Sequence, residues 1–174
     1  MGDRLEIQWK AFPLRPEPDP TATFKGTHRE EGWRRCGAMA ESDGIRFTPW
    51  PREDYPNWSL PALEAAKCVL LQGAEAFERL HLRLYEAFFT RSINIARPEE
   101  LAGVIREADV DFNRFLADFE SGAARQDVLA DYQDALTRDR VRAIPTVIVN
   151  GGHRITGLTD LPTYRKAFEE AEAD

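Results

Sequence analysis

Two thiols, three imidazoles and one proline at the mouth of a strand are the residues here whose types could do chemistry. Cys36 and Cys68 lie far apart in the sequence, and no Cys-x-x-Cys occurs, so neither has a neighbouring sulfur with which to close a redox disulfide. Cys68, in Ala65-Ala66-Lys67-Cys68-Val69-Leu70-Leu71, reads as a buried helical thiol that packs as a small hydrophobe. Cys36 is flanked by Arg34 and Arg35, whose charge favours a thiolate, but it reads as a lone surface thiol without a resolving partner. His28, His81 and His153 are scattered without metal-ligand spacing and read as surface or helix-face residues. Asn57-Trp58-Ser59 fits a glycosylation triplet, yet is better explained as a loop entering a capped helix. There is no Gly-rich phosphate loop.

The sharpest local feature is Val141-Arg142-Ala143-Ile144-Pro145-Thr146-Val147-Ile148-Val149-Asn150-Gly151. A proline here removes a ladder donor unless it begins the strand or follows a cis bond. Taken alone the trans form is the default, since only about 5–6% of X-Pro bonds are cis. A cis Ile144-Pro145 bond would instead turn the chain sharply and present the Ile144 backbone at the surface, where an extended substrate could pair with it as an added strand.

Several elements would position these residues. Leu5, Ile7, Trp9 and Ala11 alternate with Glu6, Gln8 and Lys10, the period-2 pattern of a strand over 4–12 with one buried face. Pro13, Pro16, Pro18 and Pro20 then make an extended exit. A polar stretch from about Thr23 to Met39 reads as a peripheral helix or an ordered loop, and residues 47–61, with four prolines and two tryptophans, as an irregular connector. From Ser59, a candidate cap with Pro61 and Glu64 in the first turn, apolar residues recur at spacings of three and four: Leu63, Ala66, Leu70, Ala74, Phe77, Leu80, Leu84 and Phe88. A break is expected near Gly73. Further helices are expected after Pro98, after the candidate cap Asp111, and around Val128, Leu129, Tyr132 and Leu136. Thr146–Asn150 reads as a strand covered on both faces. Asn150-Gly151-Gly152 turns it into a hairpin with His153–Thr156. Thr159 or Asp160 caps a last helix, with Leu161, Tyr164 and Phe168 inward.

Composition bounds the rest. The chain has 174 residues, and 23 Lys+Arg against 30 Asp+Glu leave a net charge of −7. That suits one domain with a real core and argues against a nucleic-acid surface, which needs a basic patch. No apolar run approaches the roughly 18 residues of a membrane span. The N-terminus has no apolar leader region, so a reduced, cytoplasmic location is expected.

The segment Ala143–Gly157 followed by an amphipathic helix resembles the cis-proline hairpin of the DsbA family of thioredoxin-fold proteins. Asn57–Ala66, Leu84–Ile95 and Pro98–Leu101 resemble that family's helical insertion, and Leu5–Leu14 resembles its second strand, most closely in the FrnE-like cytoplasmic branch. The resemblance implies an α/β thioredoxin-like fold, one domain over 1–174, with the thioredoxin part at 1–20 and 140–174 and a large all-helical insertion at about 57–139.

It also implies thiol-disulfide exchange with a thiol or disulfide protein, or a small thiol, as partner. Ile144, Pro145 and Thr146 would form the substrate-binding edge. In that family an opening strand leads into Cys-x-x-Cys at a helix N-terminus, where the dipole lowers the thiol pKa. This sequence lacks the motif and is expected to lack that first strand and helix, hence to be inactive by itself. No cofactor or metal is expected. Two alternatives stay open: a glutathione-dependent isomerase or transferase with serine as nucleophile, and a non-catalytic peptide-binding module. An absent central strand would leave unpaired sheet edges at 4–12 and 146–149, through which a dimer could form.

Overall fold

Pro61 and the alanines that follow it decide where the main helical run begins. In the computed structural model, which describes residues 5–173 and side chains as far as Glu172, α1 spans His28–Ala40, α2 Leu60–Leu70 and α3 Ala74–Tyr85. Pro61 occupies the first turn of α2, where its missing N–H is one a helix leaves unpaired anyway. The expected cap at Ser59 does not form. Its Oγ accepts instead from the Arg15 amide at 3.0 Å, tying the proline-rich exit to the start of α2. Glu64 likewise does not serve the first turn; it is buried and held by the Arg125 guanidinium at 2.7 Å. Gly73, at φ +120°, separates α2 from α3 where the break was expected.

α3 passes into a π-helical turn at Glu86–Thr90, followed by α4 (Pro98–Arg106), α5 (Phe112–Ser121) and α6 (Ala123–Thr137). Asp111 caps α5, its carboxylate accepting from the Arg114 amide at 2.9 Å. The peripheral helix α1 starts later than the sequence pattern suggests. Thr27 sets its start by accepting from the Arg29 amide, and Trp33 is its buried residue.

Contacts divide the chain into two compact units, Met1–Tyr132 and Gln133–Asp174. In the first, α2, α3, α4 and α5 pack on one another around Ala65, Cys68, Val69, Leu80, Val104, Ile105 and Phe115. Alanine on α2 lets the neighbouring helices approach closely, while leucine and phenylalanine fill the space between. A second cluster is aromatic: Phe24, Trp33, Trp50 and Tyr55, with Phe47, Phe88 and Phe89 against them. The connector at 47–61 is thus pinned by its tryptophan and tyrosine. Arg52 adds an ionic clamp, bonding Asp54 at 2.6 Å and Glu100 at 2.6 and 2.7 Å.

The strand expected at 4–12 is not formed. Arg4 lies outside the described residues; Leu5–Pro13 run without helix, turn or bend, but no ladder includes them. A strand exists only through a hydrogen-bonded partner, and the sole sheet among the described residues is the pair β1–β2. The apolar side of the alternation stays open, with Leu5, Ile7 and Trp9 all exposed. Anchoring begins at Trp9, whose ring packs on Phe77 and His81 of α3, and continues at Lys10 and Ala11, which bond Asp131 of α6.

The second unit holds the last turn of α6, β1 (Thr146–Val149), β2 (His153–Thr156) and α7 (Leu161–Ala173). The strands pair antiparallel, Thr146 opposite Thr156 and Val149 opposite His153. Asn150 and Gly151, at φ 46° and 72°, supply the two consecutive left-handed residues of a primed turn, closed by Gly152 N–H to the Val149 carbonyl at 3.0 Å. β1 is not covered on both faces as expected: Ile148 is exposed and its neighbours half-buried. A two-stranded sheet packed on a single helix has only one face to hide. Asp160 starts α7 by accepting from the Thr163 amide at 3.0 Å. Leu161 points outward rather than in; Ala167 is the buried residue of this helix, and Tyr164 and Phe168 stack half-buried.

Candidate functional site

The segment that leads into β1 is built from its flanks. On the N-terminal side the Val141 amide donates to the Ala135 carbonyl at 2.7 Å, so the chain leaves α6 in a fixed direction. The Arg154 guanidinium on β2 bonds the Asp139 carbonyl, holding the same connection from the hairpin. On the C-terminal side the Gly157 amide donates to the Pro145 carbonyl at 2.8 Å, extending the hairpin one bond beyond its ladder. Gly157 reaches this position at φ +83°. The Thr146 hydroxyl donates to the Ala143 carbonyl at 2.6 Å, folding residues 143–146 back on themselves.

Between these ties the Ile144–Pro145 peptide bond is cis. Ile144 is 43% exposed and Pro145 is exposed, while Thr146 is half-buried. No backbone hydrogen bond joins Ile144 to any other described residue. Ile144 and Pro145 therefore stand exposed with Thr146 half-buried at the start of β1 beside them, and the Ile144 peptide donor and acceptor are unused among the described residues. Such an edge can accept an extended chain by main-chain hydrogen bonding. Of the residues that brace it, Arg154 and Ala135 were not singled out in the sequence, whereas Gly157 was legible as the glycine that ends the hairpin.

The thiols stand in contrast. Cys68 is fully buried in the core of the first unit, and burial, then the nearby Asp118 and Glu64 carboxylates, push its thiol up to about 12. At neutral pH it is protonated and shielded, which excludes it as a nucleophile. Cys36 is a half-buried free thiol on α1, and the adjacent Arg34 is engaged with Glu31. No group of three or more His, Cys, Asp or Glu able to hold a metal occurs among the described residues. No helix among them is long and apolar enough to cross a membrane.

With the helical run, the hairpin, the final helix and the proline-led edge in place, comparison with known families is decisive. The family model of the DSBA-like thioredoxin domain matches residues 2–169. The chain belongs to that family. Its fold is the thioredoxin-like α/β fold of DsbA-type proteins with a helical insertion, and in the described residues it is mostly helical, with one two-stranded sheet. Among curated proteins it is similar to the uncharacterized protein YwbO of Bacillus subtilis, 24% identical over 180 residues, which covers 98% of this chain and 84% of that protein. Among solved structures it is similar to a probable DsbA oxidoreductase from Streptomyces coelicolor, with a TM-score of 0.80 at 18% identity over 99% of this chain and 77% of that one. A putative protein disulfide isomerase from Nitrosomonas europaea superposes with a TM-score of 0.75 at 18% identity, over 90% of this chain and 79% of that one. At such identities the superpositions speak for the DsbA-type fold.

Proposed function

We propose that this chain supplies the substrate-binding side of a DsbA-family thiol-disulfide oxidoreductase, with Ile144, Pro145 and Thr146 as the edge that holds the substrate. The observation that carries this is the free, exposed Ile144 backbone next to Pro145, in a member of the DSBA-like thioredoxin family. An extended peptide flanking a disulfide would add alongside Ile144 by exchanging main-chain bonds, with the Pro145 ring as an apolar stop beneath its sulfur.

The exchange reaction itself needs an attacking thiolate, which forms a mixed disulfide and expels the substrate's other sulfur as a thiolate. A second thiol then resolves the intermediate, so that one dithiol is oxidised for each substrate disulfide reduced. Neither Cys36 nor Cys68 meets those requirements, so in this reading the exchange needs a dithiol other than these two. Two unpaired cysteines accord with a reducing, cytoplasmic setting and with the FrnE-like branch that Leu5–Leu14 resembles.

Isothermal calorimetry with an extended peptide containing a mixed disulfide tests the assignment. Ile144→Ala, which keeps the backbone, is expected to retain binding. Ile144→Pro, which removes the amide donor, is expected to lose it at least tenfold, while both variants keep the native circular dichroism. Equal loss in both variants, or none in either, would refute the backbone edge. Preference for glutathione over the peptide would transfer the edge to the glutathione-dependent alternative.

A further inference from the structure

A cavity of about 510 Å³ in the first unit is lined by α1, by residues 44–49 and by Phe24. None of its lining comes from the open edges at 4–12 and 146–149. A volume of this order suits a small molecule. Three rings line it: Phe24 and Trp33, both buried, meet edge to face at 5.0 Å, and Phe47 meets Trp33 at 6.1 Å. The wall at 46–48 is fixed from behind. There the Thr48 amide donates to the Phe89 carbonyl at 2.8 Å and the Thr90 hydroxyl to the Arg46 carbonyl at 2.7 Å. On the opposite wall Gly37 occupies the interior of α1, where glycine weakens a helix. A Cβ there would meet the Phe47 Cβ at 3.4 Å, so the bare backbone keeps α1 close to Phe47 and leaves the cavity room.

Four charged side chains line the same cavity, and two of them are already engaged. Glu30 accepts from the Gly26 amide at 3.0 Å, and Arg34 bonds Glu31. The Glu41 carboxylate and the Arg46 guanidinium make no hydrogen bond or ion pair with other described residues. Glu41 stands at the C-terminal end of α1, whose last turn carries no basic residue to meet the negative end of the helix dipole. The cavity therefore offers an aromatic lining, a place for an ammonium group at Glu41 and a place for a carboxylate at Arg46.

We propose that this cavity binds a free aromatic amino acid as its zwitterion. The ligand's ring packs against Trp33 and Phe47, its carboxylate meets Arg46 and its ammonium group meets Glu41 at the end of α1. An uncharged aromatic molecule would leave both open charges unpaired, and an aliphatic amino acid would forgo the ring contacts. This binding is independent of the role given to Ile144–Thr146.

Isothermal calorimetry of the whole chain with L-phenylalanine tests the site. L-Phenylalanine is expected to bind one to one. N-acetyl-phenylalanine amide lacks both charges, phenylacetate lacks the ammonium group and L-leucine lacks the ring, and each is expected to bind at least tenfold more weakly. Glu41→Gln and Arg46→Gln, both on exposed side chains, are each expected to weaken L-phenylalanine about tenfold with melting unchanged. Gly37→Leu favours the helix and occupies the space, and is expected to abolish binding with native circular dichroism. No binding of L-phenylalanine at millimolar concentration, any of the three analogues binding as tightly as it does, or full affinity in both glutamine variants would overturn the proposal.

Discussion

Removing the Asp131 carboxylate should detach the N-terminal segment from α6 and cost more than any other single polar change in the first unit. Asp131 is buried and collects three donors: Lys67 Nζ at 2.6 Å, Lys10 Nζ at 2.9 Å and the Ala11 amide at 3.0 Å. Deleting one partner of a buried ion pair costs about 3–5 kcal/mol because a charge is left uncompensated. Here Lys10 is partly exposed and can return to water, so Lys67 and the orphaned Ala11 amide account for most of it. The expected cost of Asp131→Ala is about 3 kcal/mol, a fall in Tm of about 6–12 °C for a chain of this size. Asp131→Asn keeps an acceptor for Ala11 and should lose about half as much, and Lys10→Ala at most about 1 kcal/mol.

The pH dependence follows from the carboxyl's shift. Burial by itself would raise it, but the bonds from Lys67, Ala11 and Lys10 outweigh burial and hold it below the usual carboxylate value. A group depressed in the folded state stabilises above its unfolded pKa, near 4, and that contribution is lost as pH falls through the folded value. Urea melts of wild type and Asp131→Asn should therefore differ by a constant amount between about pH 5 and 8 and converge below about pH 4. A loss under 1 kcal/mol for Asp131→Ala, or one no larger than for Lys10→Ala, would refute the anchoring role.

Other outcomes follow from the same geometry. Native protein should react with one equivalent of a thiol reagent, at Cys36, and with a second only in denaturant, since Cys68 is buried with its thiol pushed up to about 12. Because that thiol is raised in the folded state, its contribution is complete below its unfolded pKa and lost as pH climbs toward about 12. Cys68→Ala should thus flatten the alkaline arm of a Tm-against-pH curve. Gly151→Ala places a side chain at φ +72° in the hairpin turn and should cost about 1 kcal/mol by thermal melting, without altering the first unit's near-ultraviolet spectrum. Arg125→Ala strands the buried Glu64 carboxylate and should cost several-fold more than Arg114→Ala, which loses only an exposed bond to the Leu71 carbonyl at 2.7 Å and a 3.7 Å ion pair with Asp118 on α5.

The helical run was legible because period and punctuation agree: Leu63 to Phe88 at spacings of three and four, Gly73 at the break, Pro98 and Asp111 at helix starts. The hairpin was legible from Asn150-Gly151-Gly152 for the same reason, since few residues accept positive φ. What escaped was everything set by distant partners. Ser59 reads as a cap until Arg15 claims its hydroxyl, and Glu64 reads as a first-turn carboxylate until Arg125 buries it. The alternation at 4–12 describes a strand only where a partner supplies the ladder, and among the described residues Leu5–Pro13 find none. At the candidate site, the awkwardness of a proline at a strand mouth drew attention to Pro145, while the reading of Ile144, Pro145 and Thr146 as an edge came from the resemblance to the DsbA family. The bonds that shape the edge, from Gly157, Arg154 and Val141, became visible only in three dimensions.

The most direct measurement is a map of backbone amide shifts as an extended, disulfide-bearing peptide is titrated into the isotopically labelled chain. If Ile144–Thr146 is the substrate edge, the largest and saturable changes fall at Ala143, Ile144, Thr146 and Val147, with the Gly157 amide following through its bond to Pro145. Saturable shifts confined to the first unit, or none at any peptide concentration, would contradict it.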